Sequence, residues 1–235
     1  MRNYFTFDST PSTNFGVYIS GTGVYNAPIR EYDPIAVPGR DGDILGFEKR
    51  LANLELIYPA FIYSSFSTNI AALRDFLLSR DGYKRLTDTY HTDEYRIAYY
   101  AGGLETEMLQ NLRAGRFDIT FMCKPQRYLT SGETATTFTS DGTISNPTNN
   151  TALPLIRIYG TGIVGIGDNA VTVSSSPGYV DVDCEIMEAY YGQTLLNDAI
   201  SVQNIDFPVL KAGNTGITLG TGITKVEITP RWWRL

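Results

Sequence analysis

The feature that most constrains this chain is a period of two. Val182, Cys184 and Ile186 alternate with Asp181, Asp183 and Glu185, and Val226 and Ile228 alternate with Lys225 and Glu227. Successive side chains of a strand point to opposite faces, so each run carries one apolar and one polar face and suits a half-buried sheet. Between the two runs lie a turn-rich stretch, residues 197–222, and the apolar segment Phe207-Pro208-Val209-Leu210, and the chain closes on Trp232-Trp233. The last third therefore reads as the closing half of a β-sandwich.

The rest of the sequence extends this pattern. Sixteen Tyr, 22 Gly and 11 Pro suit many short strands joined by tight turns. One stretch departs from it: Ile70, Leu73, Phe76 and Leu77 fall at helical spacing, with Thr68 or Asn69 able to cap the first turn and Asp81-Gly82 to end it. This predicts a helix near residues 68–80. At 235 residues the chain has room for two modest domains. The Ser-, Thr-, Asn- and Gly-rich stretch 129–151 is the expected crossing between them, with Thr137–Thr139 a candidate short edge strand. The expectation is a mainly β chain with one α-helix, divided into domains 1–130 and 131–235.

Charge limits the partners. Residues 1–128 hold 14 Lys and Arg against 15 Asp and Glu, and residues 129–235 hold 5 against 10. Tight phosphate binding needs clustered cations to displace condensed counterions, so no nucleic-acid binding is expected. The start, MRNYFTFDST, lacks the apolar core of a signal peptide, and no run nears the ~18 apolar residues of a membrane span. No membrane partner is expected, and production in a cytoplasm is. Cys123 and Cys184 are the only cysteines. One in each half cannot build a zinc set, and both alternate with apolar positions, so they read as buried free thiols.

Four constellations invite a chemical reading. Gly160, Gly162 and Gly165 satisfy the spacing of a dinucleotide loop, but a strand-forming run follows where a helix N-terminus would have to face the pyrophosphate. The Gly-Thr-Gly triplets at residues 21, 160 and 220 are read as hairpin turns. Asp181, Asp183 and Glu185 would put three carboxylates on one strand face, suited in principle to calcium or to glycoside hydrolysis; a solvated outer face, or pairing with Lys225 or Arg231, is the expectation. His91, the only histidine, lies in a polar stretch with Asp93 and Glu94 and reads as a surface loop residue. Tyr190-Tyr191 and Trp232-Trp233 offer aromatic faces for sugars, yet neighbours on a strand face opposite ways, so core packing is favoured. No catalytic residue, metal site or cofactor is expected, and the chain reads as no enzyme.

The order of several short motifs carries a resemblance. Pro38-Gly39-Arg40-Asp41-Gly42 packs two turns into one loop, a helix follows, then an arginine- and tyrosine-rich strand and a hairpin placed between residues 95 and 121. Next comes Cys123-Lys124-Pro125-Gln126-Arg127-Tyr128, and the last third ends in Pro230-Arg231-Trp232-Trp233-Arg234-Leu235. This succession resembles the distal tail proteins of siphophages. The resemblance implies an N-terminal β-sandwich-like ring, or belt, domain with a projecting hairpin, and a C-terminal galectin-like β-sandwich. It implies a homohexameric ring at the virion tail tip, with a channel for DNA. Its neighbours would be the major tail tube protein and a tail-associated hub, lysin or fibre protein, with the tape measure protein a further candidate. Residues 38–42 are the candidate ring or partner contact, because loops on rigid scaffolds carry contacts. The alternative reading is a carbohydrate-binding module for host cell-wall glycans.

Overall fold

A computed structural model describes residues 2–21, 25–46, 50–108, 113–204 and 206–235. The chain is mainly β with one α-helix among the described residues. It divides into two compact units, Met1–Arg127 with Leu235, and Tyr128–Arg234.

In the first unit the centre is a pair of nine-residue strands, Leu54–Ile62 and Gly115–Cys123, antiparallel and in unbroken register from Gly115 opposite Ile62 to Cys123 opposite Leu54. Their alternation is strict. Leu54, Leu56, Tyr58, Ala60 and Ile62 are buried on one strand, and Phe117, Ile119, Phe121 and Cys123 on the other. The sheet runs in the order Thr10–Pro11, Phe5–Phe7, Lys84–Asp88, His91–Tyr100, Gly115–Cys123, Leu54–Ile62, Val17–Ile19. Thr106–Met108 adds a short strand beside residues 115–117.

The helix, Phe66–Leu78, starts two residues before its expected place because Ser65 in the left-handed region is the turn into it. Thr68 and Asn69 lie inside the first turn. There the Asn69 side-chain amide donates to the Ser64 carbonyl at 3.1 Å. Phe66, Ile70, Leu73 and Leu77 form its buried stripe and join Phe5, Phe7 and Phe121 in one core. Each such side chain contributes roughly 1.5–3 kcal/mol on burial.

The second unit is two antiparallel sheets around one core. The six-stranded sheet runs Thr136–Phe138, Ile223–Thr229, Leu155–Gly160, Val180–Asp183, Glu188–Tyr191, Thr194–Leu195. The five-stranded sheet runs Gly142–Asn146, Gly213–Leu219, Gly162–Ile166, Asn169–Val173, Ile200–Val202. The polar stretch 129–151, read above as a crossing, supplies two of these strands. Phe138 and Ile144, one in each of these strands, are both buried. Thr136–Phe138 is an edge strand within one residue of the one expected at Thr137–Thr139; sparse apolar content hid Gly142–Asn146, since one anchor is enough to seat a short strand that others cover.

The Gly-Thr-Gly triplets at 160 and 220 are not hairpin turns. Each is the point where the chain leaves one sheet for the other, and the two crossings lie side by side. Thr161 N–H donates to the Gly222 carbonyl at 3.2 Å, and Gly220 N–H to the Ile163 carbonyl at 2.8 Å. Gly160 and Gly222 take φ of +99° and +91°, and a Cβ on either would stand 2.1 Å from a carbonyl oxygen of the other crossing. The repeat Gly-Thr-Gly-Ile thus encodes a backbone contact that excludes every side chain. The triplet at Gly21 extends into residues 22–24, outside the described residues.

Candidate functional site

The loop Pro38–Gly42 joins Asp33–Ile35 to Ile44–Gly46, an antiparallel pair that bonds to no third strand among the described residues. Gly39 and Gly42 supply the positive φ that the two turns need, +80° and +79°. All five loop residues are at or near the surface. The hairpin is apolar as well as exposed: Ile35, Ile44 and Leu45 are 52%, 44% and 46% exposed, and Ile29 on the approach is 76% exposed. Isolated two-stranded ribbons are marginal in water, and apolar side chains on one are a surface in want of cover. Sequence reasoning singled out the loop and missed the apolar strands beside it, because a short apolar run looks the same whether its own core or another molecule covers it.

A second surface of this unit lies on the sheet face turned away from its core. Tyr18, Phe61 and Tyr63 cluster with centroids 4.8–6.0 Å apart, and the Arg2 guanidinium lies 4.4 Å over the Tyr63 ring. Phe61 also lines an open shelf of about 890 Å³ with Arg116, Asp118, Glu105 and Thr106. The interval 95–121, where the projecting hairpin is expected, holds the strand Thr106–Met108 and most of its partner Gly115–Cys123, and supplies part of the shelf's lining. Residues 109–112 lie outside the described residues.

His91 is not a loop residue. It opens the strand His91–Tyr100, its ring meets Tyr25 edge-on at 4.7 Å, and Nδ1 lies 3.2 Å from Asp88 Oδ1. The bulge after Leu86 turns Asp88 inward, where it accepts from Tyr90 N–H, His91 N–H and the Tyr58 hydroxyl at 2.9, 3.0 and 2.7 Å. Burial, then the neighbouring carboxylate, push the Tyr58 hydroxyl well above the ordinary tyrosine range. Glu94 and Arg127 pair beside it at 3.3 Å. The void among these groups is about 10 Å³, the scale of one water at most. It is a polar clasp at a strand turn, with no room for a substrate.

The carboxylate row corrects a second expectation. Asp181 and Asp183 are not on a solvated face: they are 3% and 6% exposed. Arg157, directly opposite Asp181 in register, grips it with two bonds of 2.7 and 2.9 Å. Arg231 grips Asp183 with bonds of 2.7 and 2.8 Å and reaches the exposed Glu185 at 3.4 Å. Bidentate guanidinium pairing is what lets a carboxylate leave water. Pairing with Arg231 was among the expectations, Arg157 was not, and Lys225, the other expected partner, pairs with Glu227 at 2.8 Å instead. Among the described residues no group of three or more His, Cys, Asp and Glu is placed to hold a metal, and no helix is long and apolar enough to cross a membrane.

Trp232 is buried in the core of the second unit, and Trp233 is half-buried with its indole N–H on the Thr151 carbonyl at 2.9 Å. Tyr191 packs on Tyr179, which also carries Arg157 over its face at 4.2 Å. Cys123 and Cys184 are buried free thiols, and burial pushes each up to about 12. Both are expected to stay silent toward Ellman's reagent at pH 8 in the native protein and to react in full in denaturant; rapid native labelling of either would contradict their placement.

No protein-family model and no curated protein matches the chain. Among solved structures, the crystal structure of the SPP1 Dit (gp 19.1) protein, described as a paradigm of the hub adsorption apparatus in phages infecting Gram-positive hosts, is similar over 100% of both chains, with a TM-score of 0.75 at 17% sequence identity. The chain has the fold of that protein from end to end.

Proposed function

We propose that the chain is a structural protein of a phage tail tip, a hub that assembles as a homohexameric ring through its first unit, the second unit being galectin-like. The observation that carries this reading is the end-to-end likeness in fold to the SPP1 Dit hub protein. The motif order seen in the sequence points the same way. So do the exposed apolar hairpin at residues 33–46 and the aromatic cluster around Phe61, which give the first unit two surfaces for neighbours. In this reading the ring joins the tail tube above to the hub, lysin or fibre protein below, the tape measure protein being a further neighbour, and leaves a channel for DNA. A nearly balanced first unit, 14 cationic against 15 anionic residues, suits such a channel, since a cationic lining would hold the genome it has to pass. The work is assembly rather than turnover.

Negative-stain electron microscopy of the purified chain at high concentration, with light scattering for the mass, tests the ring directly. Six-fold particles with a central hole are expected. Ile35→Asp combined with Leu45→Asp should abolish them while leaving the thermal unfolding of the monomer unchanged, because neither side chain belongs to the core. Charge reversal at Arg40 or Asp41 should weaken assembly at low salt more than at high salt. Unchanged particles in the Asp pair would remove the hairpin from the ring contact.

A further inference from the structure

We propose that the second unit binds a glycan in a groove over the outward face of its five-stranded sheet, with a pyranose ring seated on bare backbone at Gly216 and against Phe207. This goes beyond the ring reading and does not depend on it. The groove measures about 800 Å³, inside the range of small-molecule sites. Its floor is unusual. Ile217, next to Gly216, points into the core, so Gly216 faces out. A Cβ built there meets nothing within 4 Å. Glycine in a strand interior with open space above it marks a place where another group can approach the backbone closely.

The walls match the chemistry of a sugar. A pyranose presents a patch of C–H groups on one face and a rim of hydroxyls, each both donor and acceptor. Phe207, half-buried in the wall, offers an aromatic surface for the C–H face. Asn204, Asp206 and Asn214 supply short, planar amide and carboxylate groups that can donate to and accept from neighbouring hydroxyls. The wall is fastened before any ligand arrives. Asn204, held at φ +62°, donates from its side chain to the Asp168 carbonyl at 3.4 Å, and Lys211 Nζ lies 2.7 Å from Asp168 Oδ2. Side chains and loops already ordered lose less entropy on binding.

A peptide strand fits the floor less well. Gly216 pairs with Thr143 on one side and accepts from Gly167 N–H at 2.9 Å on the other. The floor strand is thus flanked on both sides and offers no ladder for strand addition. The groove accepts a ligand laid on the sheet, not one added to its edge.

Saturation-transfer difference NMR of the full chain with the methyl glycosides of glucose, galactose and N-acetylglucosamine tests this. Transfer to at least one ring is expected, with at least a tenfold loss of affinity in Gly216→Val and in Phe207→Ala. Gly216→Val is the decisive variant, since it raises a side chain from the groove floor at a position where an added Cβ meets nothing within 4 Å. Its urea midpoint should match the parent, and its ring particles should form as before. No transfer to any of the three glycosides, transfer that survives in Gly216→Val, or transfer confined to the control peptide acetyl-Lys-Leu-Lys-amide would each overturn the proposal.

Discussion

Gly160→Ala is expected to destabilise the second unit by about 3–5 kcal/mol. Two costs add. An L-residue held at φ +99° carries roughly 1–3 kcal/mol of backbone strain. The new Cβ would also stand 2.1 Å from the Gly222 carbonyl oxygen, so the two crossings have to part. Parting them lengthens the bonds from Thr161 N–H to Gly222 and from Gly220 N–H to Ile163, each contributing about 1 kcal/mol net. A domain whose total stability is on the order of 5–15 kcal/mol feels such a loss strongly. Trp232 and Trp233 are the only tryptophans and both lie in this unit, so tryptophan fluorescence in urea reports on it alone. The midpoint should fall by about 1–5 M for a slope of roughly 1–3 kcal/mol per molar urea. Gly216→Ala, in the same unit and over open space, is the control and should move the midpoint little. A shift for Gly160→Ala no larger than the control's would mean that the crossings are not in contact.

The contrast between these glycines shows what was and was not legible in the sequence. The repeat Gly-Thr-Gly-Ile is visible at once, and its exclusion as a nucleotide loop follows from the strand-forming residues after it. That the two copies touch is a fact about pairing between residues 60 apart, which no local period contains. The same limit governs the carboxylates. The alternation around Val182 suggests a strand with one buried face; Val182 and Cys184 are indeed buried, but the strand ends at Asp183 and Ile186 is 55% exposed. It also suggests that Asp181 and Asp183 are wet, because the outer face of a sheet usually is. What overrides that rule is the register with Leu155–Gly160, which sets Arg157 opposite Asp181. The helix stripe was readable because its period is local; its start moved by a turn that only the backbone at Ser65 reveals. At residues 33–46 turn chemistry marks the loop, while the exposure of Ile35, Ile44 and Leu45 depends on what fails to cover them.

Asp183→Asn should cost the second unit about 2 kcal/mol at neutral pH and nothing in strong acid. The side chain is nearly isosteric, so packing is kept and only the charge is lost. Arg231, with about a quarter of its side chain exposed, then keeps a desolvated cation whose strongest partner is gone. Breaking a fully buried pair costs about 3–5 kcal/mol, and partial exposure brings the figure down. The arginine has a second reason to need its partner: its backbone sits at φ +55°, held by its N–H on the Gly132 carbonyl at 2.9 Å and by the two bonds to Asp183. Burial raises the Asp183 carboxyl, but the Arg231 guanidinium and the backbone N–H groups of Glu185 and Ile186 outweigh it and hold the group below the ordinary carboxylate range. A depressed native value means that the pair stabilises fully above the unfolded value of about 3.9 and loses its contribution as pH falls through the native value. The gap between parent and variant, read from urea midpoints by tryptophan fluorescence, should therefore be constant from pH 7 to about 5 and close below about pH 4. A gap that persists unchanged at pH 2.5 would assign the loss to packing of the amide. A gap absent at pH 7 would mean that water, not Asp183, answers the charge of Arg231.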